Sequence, residues 1–406
     1  MAISLGIDLC DDYTTVCIAG GSGVKLIPTV ICRDKENKGW HIGEEAYRMA
    51  LGANGILTDK LVKLLKKNGA STMYGRTWQA GELMDAFLKC LFQYLQIAPP
   101  DVAKLTLTLA KPERELMDAV TGAALRAGIL ADCLHIQGHA ESFIYYTLSQ
   151  EKELYSNIVS LFDLSDESLS CYELKVVRGV SRMSVISEGQ EMEEAFHLDV
   201  LKSESGRKLG DRIMLGLAQR VMEKKIVSSV FLTGRGFEST DWAESFKEYV
   251  CRRRRVLSEQ GLFARGAAIA AEDSLREKTE FPYLMFCDTR TDFELSITVQ
   301  TDRRSSRLIL VPAGSPWYAY RARVELIPSG QDYVELELAP VDKFQKKRPI
   351  RVSLASFPKR PDKCTRIALS LELLDAHLLR VHVKDLGFGE LFTASNGPGI
   401  TEEIKV

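Results

Sequence analysis

An apolar run, a short polar turn and a second run rich in β-type residues occur together twice along the chain. The first set covers Ile3–Leu9 and Tyr13–Ile18, and the second covers Ile158–Leu164 and Leu169–Leu174. Each set has the pattern of a β-hairpin. Because the same pattern recurs, we predict a duplicated α/β architecture with two facing lobes.

Strand patterns alternate with helical patterns up to about residue 275. Residues 80–96 carry apolar side chains at helical spacing, and residues 104–109 alternate in the manner of a strand. The alternation continues through the second hairpin and beyond it. We therefore predict an α/β domain over residues 1–275, with lobe I at 1–150 and lobe II at 151–275.

The pattern changes after this domain. Residues 276–282 are largely charged and include Pro282, as expected of a linker. From 283 to 406, short strand-like segments recur between turns that contain Gly and Pro, with hardly any helical spacing. Short strands at regular intervals predict a β-sandwich at 283–406.

Composition and charge narrow the function classes. The chain of 406 residues is 45% hydrophobic and 27% charged, as in globular proteins. A net charge of −2 disfavours nucleic acid and a membrane surface as partners. The nine cysteines lack the close pairs of a zinc site, so we predict buried reduced thiols and no metal site. Without a stretch as long as a membrane span, the sequence favours a cytoplasmic protein.

Several segments resemble, in the same order, the actin, sugar-kinase and heat-shock ATPase superfamily, and DnaK-type heat-shock chaperones in particular. These segments are Ser4–Leu9, Ile27–Ile31, His41–Ala46, Leu105–Tyr146, Leu161–Leu164, Phe231–Gly236, Leu262–Ala271, Phe357–Pro361 and Ile367–Asp385. The resemblance implies a two-lobed actin-like (RNase H-like) α/β ATPase fold with a reduced second lobe. It also implies a following β-sandwich like the peptide-binding domain, without a helical lid.

The two turns depart from this family at the positions that would hold phosphate. The family supplies Gly-Thr-Thr and Gly-Gly-Gly-Thr there, whereas this chain supplies carboxylates. Each carboxylate about 4 Å from a phosphate costs roughly 1 kcal/mol even in a well-solvated site. The degenerate nucleotide crevice implied by the resemblance comprises Asp8, Asp11, Asp12, Asp163, Asp166, Glu167 and Gly234. We predict no ATP hydrolysis, no catalytic residue and no cofactor; the family's lysine corresponds to either Lys60 or Lys63.

Three other groups have two interpretations each. His139 and Glu141 begin a helix along the crevice, and we predict capping or surface roles for them rather than acid–base chemistry. The run Arg252–Arg255 is predicted to be a solvated segment, with the binding of phosphates or an acidic partner as the alternative. The resemblance places a peptide-binding pocket at Val334 and Leu336, whereas the alternation of their strand by itself favours an ordinary core.

These observations lead to three functional hypotheses. The main one is a heat-shock-chaperone-like pseudo-ATPase that binds a polypeptide partner without ATP hydrolysis. One alternative is an ATP-binding, chaperone-like ATPase with a rebuilt, metal-dependent phosphate site, which would use ATP and magnesium. The other alternative is a non-catalytic scaffold that binds through its outer faces. Nucleotide binding separates the first two hypotheses, and peptide binding separates the first from the third.

Overall fold

The structure of this protein is a computed structural model that describes residues 3–21, 23–166, 168–178, 183–301, 304–329, 332–341 and 345–406. The chain divides into two compact units, Met1–Met285 and Phe286–Val406. The predicted linker at 276–282 therefore falls inside the first unit. In the described ranges, no helix is both long and apolar enough to cross a membrane.

The first unit alternates strands and helices. Its strands are β1 (Ile3–Leu9), β2 (Tyr13–Ile18), β3 (Val24–Pro28), β4 (Ile31–Asp34), β5 (Trp40–Ile42), β6 (Gly55–Thr58), β7 (Ala70–Met73), β8 (Arg76–Gln79), β9 (Val102–Leu109), β10 (Leu134–Gly138), β11 (Ile158–Leu164), β12 (Leu169–Arg178), β13 (Met183–Glu191), β14 (Val227–Thr233), β15 (Arg255–Ser258) and β16 (Leu284–Phe286), which ends at the boundary. Its helices are α1 (Gly43–Leu51), α2 (Leu61–Lys66), α3 (Ala80–Leu95), α4 (Arg114–Arg126), α5 (His139–Leu148), α6 (Glu204–Met222), α7 (Glu244–Cys251) and α8 (Leu262–Asp273).

The two lobes share one strand order. In lobe I, β1, β2 and β3 pair antiparallel in sequence, and β9 and β10 add in parallel on the other side of β1. In lobe II, β11, β12 and β13 pair antiparallel, and β14 and β15 add in parallel beside β11. The strand β16 extends this second sheet at the β13 edge. The duplicated α/β architecture predicted from the two hairpins is confirmed.

The insertions between the antiparallel and parallel strands differ between the lobes. In lobe I, the segment between β3 and β9 forms the small sheets β5-β4-β6 and β7-β8 together with α1, α2 and α3. In lobe II, the shorter segment between β13 and β14 contributes α6 as its one α-helix among the described residues. This difference agrees with the reduced second lobe that the sequence predicted.

Helices α5 and α8 pack closely against each other, and α8 also packs against β1. Nine of the ten residues of α5 are buried, as expected of a helix enclosed on all sides. A Cβ added at Gly266 of α8 would lie 1.9 Å from the carbonyl oxygen of Ser142 in α5, so the helices meet at backbone distance. A Cβ at Gly6 of β1 would lie 2.1 Å from the carbonyl oxygen of Ala264. Glycine is therefore required at both contacts.

The segment after α8 is tied to the first unit. The Asp273 carboxylate accepts hydrogen bonds from the Thr279 hydroxyl at 2.7 Å and from the Glu280 amide at 2.8 Å. The ring of Phe281 packs edge-on against Tyr145 of α5, with centroids 5.5 Å apart. The predicted linker is thus ordered by specific contacts rather than free of them.

The second unit consists of strands in two sheets. The strands are β17 (Phe293–Thr301), β18 (Arg304–Val311), β19 (Arg321–Leu326), β20 (Tyr333–Pro340), β21 (Arg348–Ser353), β22 (Arg366–Asp375), β23 (Leu378–Gly387) and β24 (Ile400–Lys405). They form the antiparallel sheets β18-β17-β20-β21 and β19-β22-β23-β24. Burial alternates along β20 and β23, so each sheet has one buried face.

Candidate functional site

Two aspartates occupy equivalent places in the duplicated sheets. Asp8 lies near the end of β1 opposite Thr108 of β9, and Asp163 lies near the end of β11 opposite Thr233 of β14. Asp8 is 8% exposed, whereas Asp163 is partly exposed. Because the carboxyl ends of parallel strands meet at one sheet edge, each aspartate stands where the turns of its lobe converge.

Asp8 belongs to a mixed cluster with a histidine and a cysteine. The Nε2 atom of His139, the first residue of α5, lies 2.7 Å from Oδ1 of Asp8. The Cys10 thiol lies 3.4 Å from the same oxygen and 3.9 Å from Nε2. His139 is 1% exposed, so the predicted surface role for it is wrong, and Glu141, 0% exposed, is also not a surface residue.

Residues from two other elements hold the His139 ring. The ring of Phe263 in α8 stacks on it, with centroids 3.7 Å apart and planes 10° apart. The hydroxyl of Tyr172, on β12 of lobe II, lies 3.4 Å from Nδ1. Burial, followed by the charges of Asp8 and Asp163, raises the pKa of the Cys10 thiol well above its usual range. The imidazole is therefore fixed in a crevice lined by both lobes.

Asp11 acts on the helix beside the first turn. Its Oδ1 accepts a hydrogen bond of 2.8 Å from the backbone amide of Lys63, in the first turn of α2. This is a capping interaction, because the first amides of a helix have no partner within the helix. Burial raises the pKa of Asp11, although the Lys63 amide opposes the shift. The backbone at Lys60, which precedes α2, has φ +50°, and the Lys63 side chain is exposed.

The second turn is closed by an ion pair. The Arg235 guanidinium lies 2.8 Å from Oδ2 of Asp166 and stacks 4.8 Å from the ring centroid of Tyr13. Burial is the main cause that raises the pKa of Asp163 to about 6. Gly234 has φ +87°, and a Cβ there would lie 2.5 Å from Oδ1 of Asp163. Gly234 thus allows the close approach of these two backbone segments.

The backbone amides at the two turns already donate hydrogen bonds within the protein, so they are not directed at a bound phosphate. The Cys10 amide donates to the Tyr13 carbonyl at 3.3 Å, and the equivalent Ser165 amide donates to the Ser168 carbonyl at 2.9 Å. Asp12 is partly exposed, and its carbonyl accepts from the Thr29 amide at 3.0 Å. The predicted crevice residue Glu167 lies outside the described residues.

The sequences of both units match known families, neither with an assigned activity. Residues 12–288 match the C-terminal part of a family of unknown function (DUF5716). The chain belongs to this family. Residues 290–406 match a domain of unknown function (DUF8552). No curated protein matches the chain.

Among solved structures, a non-polymerising mutant of MamK bound to AMPPNP is similar. It is 14% identical, with a TM-score of 0.42, and the match covers 67% of this chain and 99% of that one. A similarity at this level carries no argument about function. The resemblance to DnaK-type chaperones remains a prediction for this DUF5716 family member.

The residues assigned to peptide binding are part of the core of the second unit. Val334 is 5% exposed and Leu336 is 0% exposed, both on the buried face of β20. Their strand alternates because one face of its sheet is buried, and this burial agrees with the ordinary-core interpretation. The peptide-binding assignment of the two residues stays a prediction.

The arginine run forms surface contacts. Arg252 pairs with Glu248 at 2.7 Å, and Arg255 lies 3.5 Å from Glu151. The guanidinium of Arg254 donates to a main-chain carbonyl at 3.0 Å. Arg252 and Arg255 have side chains more than half exposed, which agrees with the predicted solvated segment.

Proposed function

We propose that this protein is a non-hydrolysing member of the actin-like (RNase H-like) ATPase fold that acts by binding a polypeptide partner. The strand order common to both lobes, and the two buried helices α5 and α8 beside them, support the fold. The order of the DnaK-like segments along the chain supports a heat-shock-chaperone-like character.

The main support for the absence of hydrolysis is that the polar groups at both turns already have hydrogen-bond partners within the protein. A phosphate site needs backbone amides and small hydroxyls directed at anionic oxygens. Here the amides of Cys10 and Ser165 are used within the hairpins, and the neighbouring side chains are carboxylates. Asp8, which lies in β1 just before the first turn, is already hydrogen-bonded to His139 at 2.7 Å.

The exposed strand β18 supports a polypeptide partner. Its first six residues, Arg304–Ile309, are exposed, and they include Leu308 (37%) and Ile309 (47%). In the described part of the chain β18 pairs with β17 and stands at the end of its sheet. An extended peptide can add to such an edge through main-chain hydrogen bonds, with apolar side chains supplying selectivity. Without an ATP cycle this binding would be passive.

Calorimetric titration with ATP and ADP, with and without Mg²⁺, tests the loss of nucleotide function. We expect no binding tighter than a Kd of about 100 μM, or roughly −5.5 kcal/mol. Tighter, magnesium-dependent binding would overturn the proposal in favour of an ATPase with a rebuilt phosphate site. A hydrolysis assay on the same samples would then measure turnover.

Binding of short apolar peptides tests the partner assignment. Ile309→Lys should weaken peptide binding at least tenfold, about 1.4 kcal/mol, because it places a charge beside the β18 edge. Ile327→Lys is the matched control, since Ile327 is also exposed (50%) in the same unit. Equal peptide binding by the two variants would contradict the assignment of the binding site to the edge of β18. If the chain bound no peptide at all, the scaffold hypothesis would be favoured.

A further inference from the structure

Three side chains of different chemistry converge at one point in the crevice. Oδ1 of Asp8, Sγ of Cys10 and Nε2 of His139 all lie within 4.8 Å of one another. Asp8 is the next-to-last residue of β1, Cys10 directly follows that strand, and His139 directly follows β10. Since β1, β9 and β10 run parallel, their carboxyl ends bring these residues to the same sheet edge.

The arrangement differs from that of a cysteine nucleophile. A catalytic triad needs the thiol on one imidazole nitrogen and the carboxylate on the other. Here Cys10 and Asp8 both approach Nε2 of His139, at 3.9 and 2.7 Å, while Nδ1 faces Tyr172. A carboxylate oxygen, a sulfur and an imidazole nitrogen so close together are instead a possible set of ligands for a cation.

We infer that Asp8, Cys10 and His139 form a binding site for a divalent transition-metal ion of the zinc class. Carboxylate, thiolate and imidazole together suit zinc and its neighbours, whereas magnesium prefers oxygen ligands. Ligands of a tetrahedral zinc ion lie roughly 3.3–3.6 Å apart at ordinary bond lengths. The Cys10–Asp8 separation of 3.4 Å lies within that range. On binding, the 2.7 Å hydrogen bond between His139 and Asp8 would lengthen, and the 3.9 Å separation between Cys10 and His139 would shorten.

The surroundings of the histidine are those that a metal ligand requires. A ligating imidazole is usually oriented by a hydrogen bond at its other nitrogen. The Tyr172 hydroxyl occupies that position at 3.4 Å, and the stacked Phe263 ring fixes the plane of the imidazole. Binding would replace the hydrogen bond between His139 and Asp8, and metal binding to ionisable ligands releases protons.

The charge of the crevice also favours a cation. Two carboxylates, those of Asp8 and Asp163, lie near the ends of β1 and β11. A divalent ion stabilises nearby thiolate and carboxylate charges together. Three protein ligands leave a fourth position open, as in zinc sites that also hold water or a substrate.

Cobalt titration of the chelator-treated full chain tests the site. With Co²⁺ as the probe, we expect a thiolate-to-cobalt charge-transfer band that saturates at one ion per chain and is lost on adding Zn²⁺. Cys10→Ser should abolish the band and weaken Zn²⁺ binding by more than the roughly 10–100-fold that supporting residues contribute. Cys251→Ser is the matched control, because Cys251 is an exposed cysteine, and it should leave the band unchanged.

A second variant separates a metal site from a local structural effect. Tyr172→Phe keeps the ring packing but removes the hydroxyl near Nδ1, and should weaken Co²⁺ binding about tenfold while the band remains. A band that persists in Cys10→Ser, or no band in the native chain, would overturn the inference. Displacement of Co²⁺ by millimolar-range Mg²⁺ would do the same, since it would indicate an oxygen-ligand site. A positive nucleotide titration alone would refute the proposed function and leave this result intact.

Discussion

Replacing Arg360 by alanine removes the cationic partner of a buried carboxylate in the second unit. The Arg360 guanidinium donates to both oxygens of Asp385, at 2.8 and 2.7 Å, and to the Thr393 carbonyl at 2.7 Å. The amides of Gly387 and Ser395 donate to the same carboxylate, each at 2.9 Å. The side chains of Arg360 and Asp385 are only 4% and 0% exposed.

The expected loss follows from this burial. Removing one partner of a buried, bidentate pair leaves an uncompensated charge and destabilises by about 3–5 kcal/mol. Arg380 provides a matched control, because it pairs with Glu403 at 2.8 Å while both side chains are more than 40% exposed. Exposed pairs contribute about 0–1 kcal/mol, so Arg380→Ala should change stability by no more than that.

Chemical denaturation of the full chain, combined with hydrogen exchange of β22 and β23, measures both variants. Arg360→Ala should lower the local free energy of opening in these strands far more than Arg380→Ala. The hydrogen bonds from Arg360 hold the pKa of Asp385 well below its usual range. Its stabilisation is therefore complete above the unfolded pKa of about 4 and is lost as the pH falls through the lower folded value. Equal effects of the two alanine variants at pH 7 would refute the reasoning.

Two further predictions concern the first unit. Burial raises the pKa of Asp163 to about 6, so the charged carboxylate destabilises the folded chain. The stability that the protonated carboxyl group contributes is complete below pH 4 and is lost as the pH rises through 6. In chelator-treated protein, Asp163→Asn should raise the free energy of unfolding by about 1–3 kcal/mol at pH 7.5 and leave it unchanged at pH 4. Chemical denaturation at both pH values measures this difference. An equal effect of the substitution at the two pH values would contradict the prediction. Gly266→Ala should destabilise by at least about 1–3 kcal/mol, because its methyl group would lie 1.9 Å from the Ser142 carbonyl oxygen. Gly216→Ala in α6 is the control, because its added methyl group meets nothing within 4 Å, and it should stabilise the chain by up to about 1 kcal/mol. If the melting temperatures of the two alanine variants shifted in the same direction, the close contact between Gly266 and Ser142 would be contradicted.

The fold could be predicted because it is built from contiguous patterns. The two hairpins appear in the sequence as adjacent apolar runs, and α3 (Ala80–Leu95) coincides with the helical spacing at 80–96. The candidate site could not be predicted in the same way. Asp8 and His139 are 131 positions apart, and they meet only because β9 lies between their strands. The prediction of no metal site rested on spacing along the chain, which carries no signal for ligands brought together by a parallel sheet.

Counting acidic residues also overstates the charge that the crevice presents. Asp11 caps α2, and Asp166 pairs with Arg235, so both have partners at the edges of the turns. Asp8 and Asp163 are the two whose charges act on Cys10 most strongly after burial.

Cys10 stands where the resembled family has the first glycine of its phosphate turn. The change from glycine to cysteine would remove a flexible phosphate contact and, at the same position, supply a sulfur ligand beside His139. Under the proposed function the crevice need not be inert, because a cysteine in place of that glycine would both weaken a phosphate site and supply one of the proposed metal ligands.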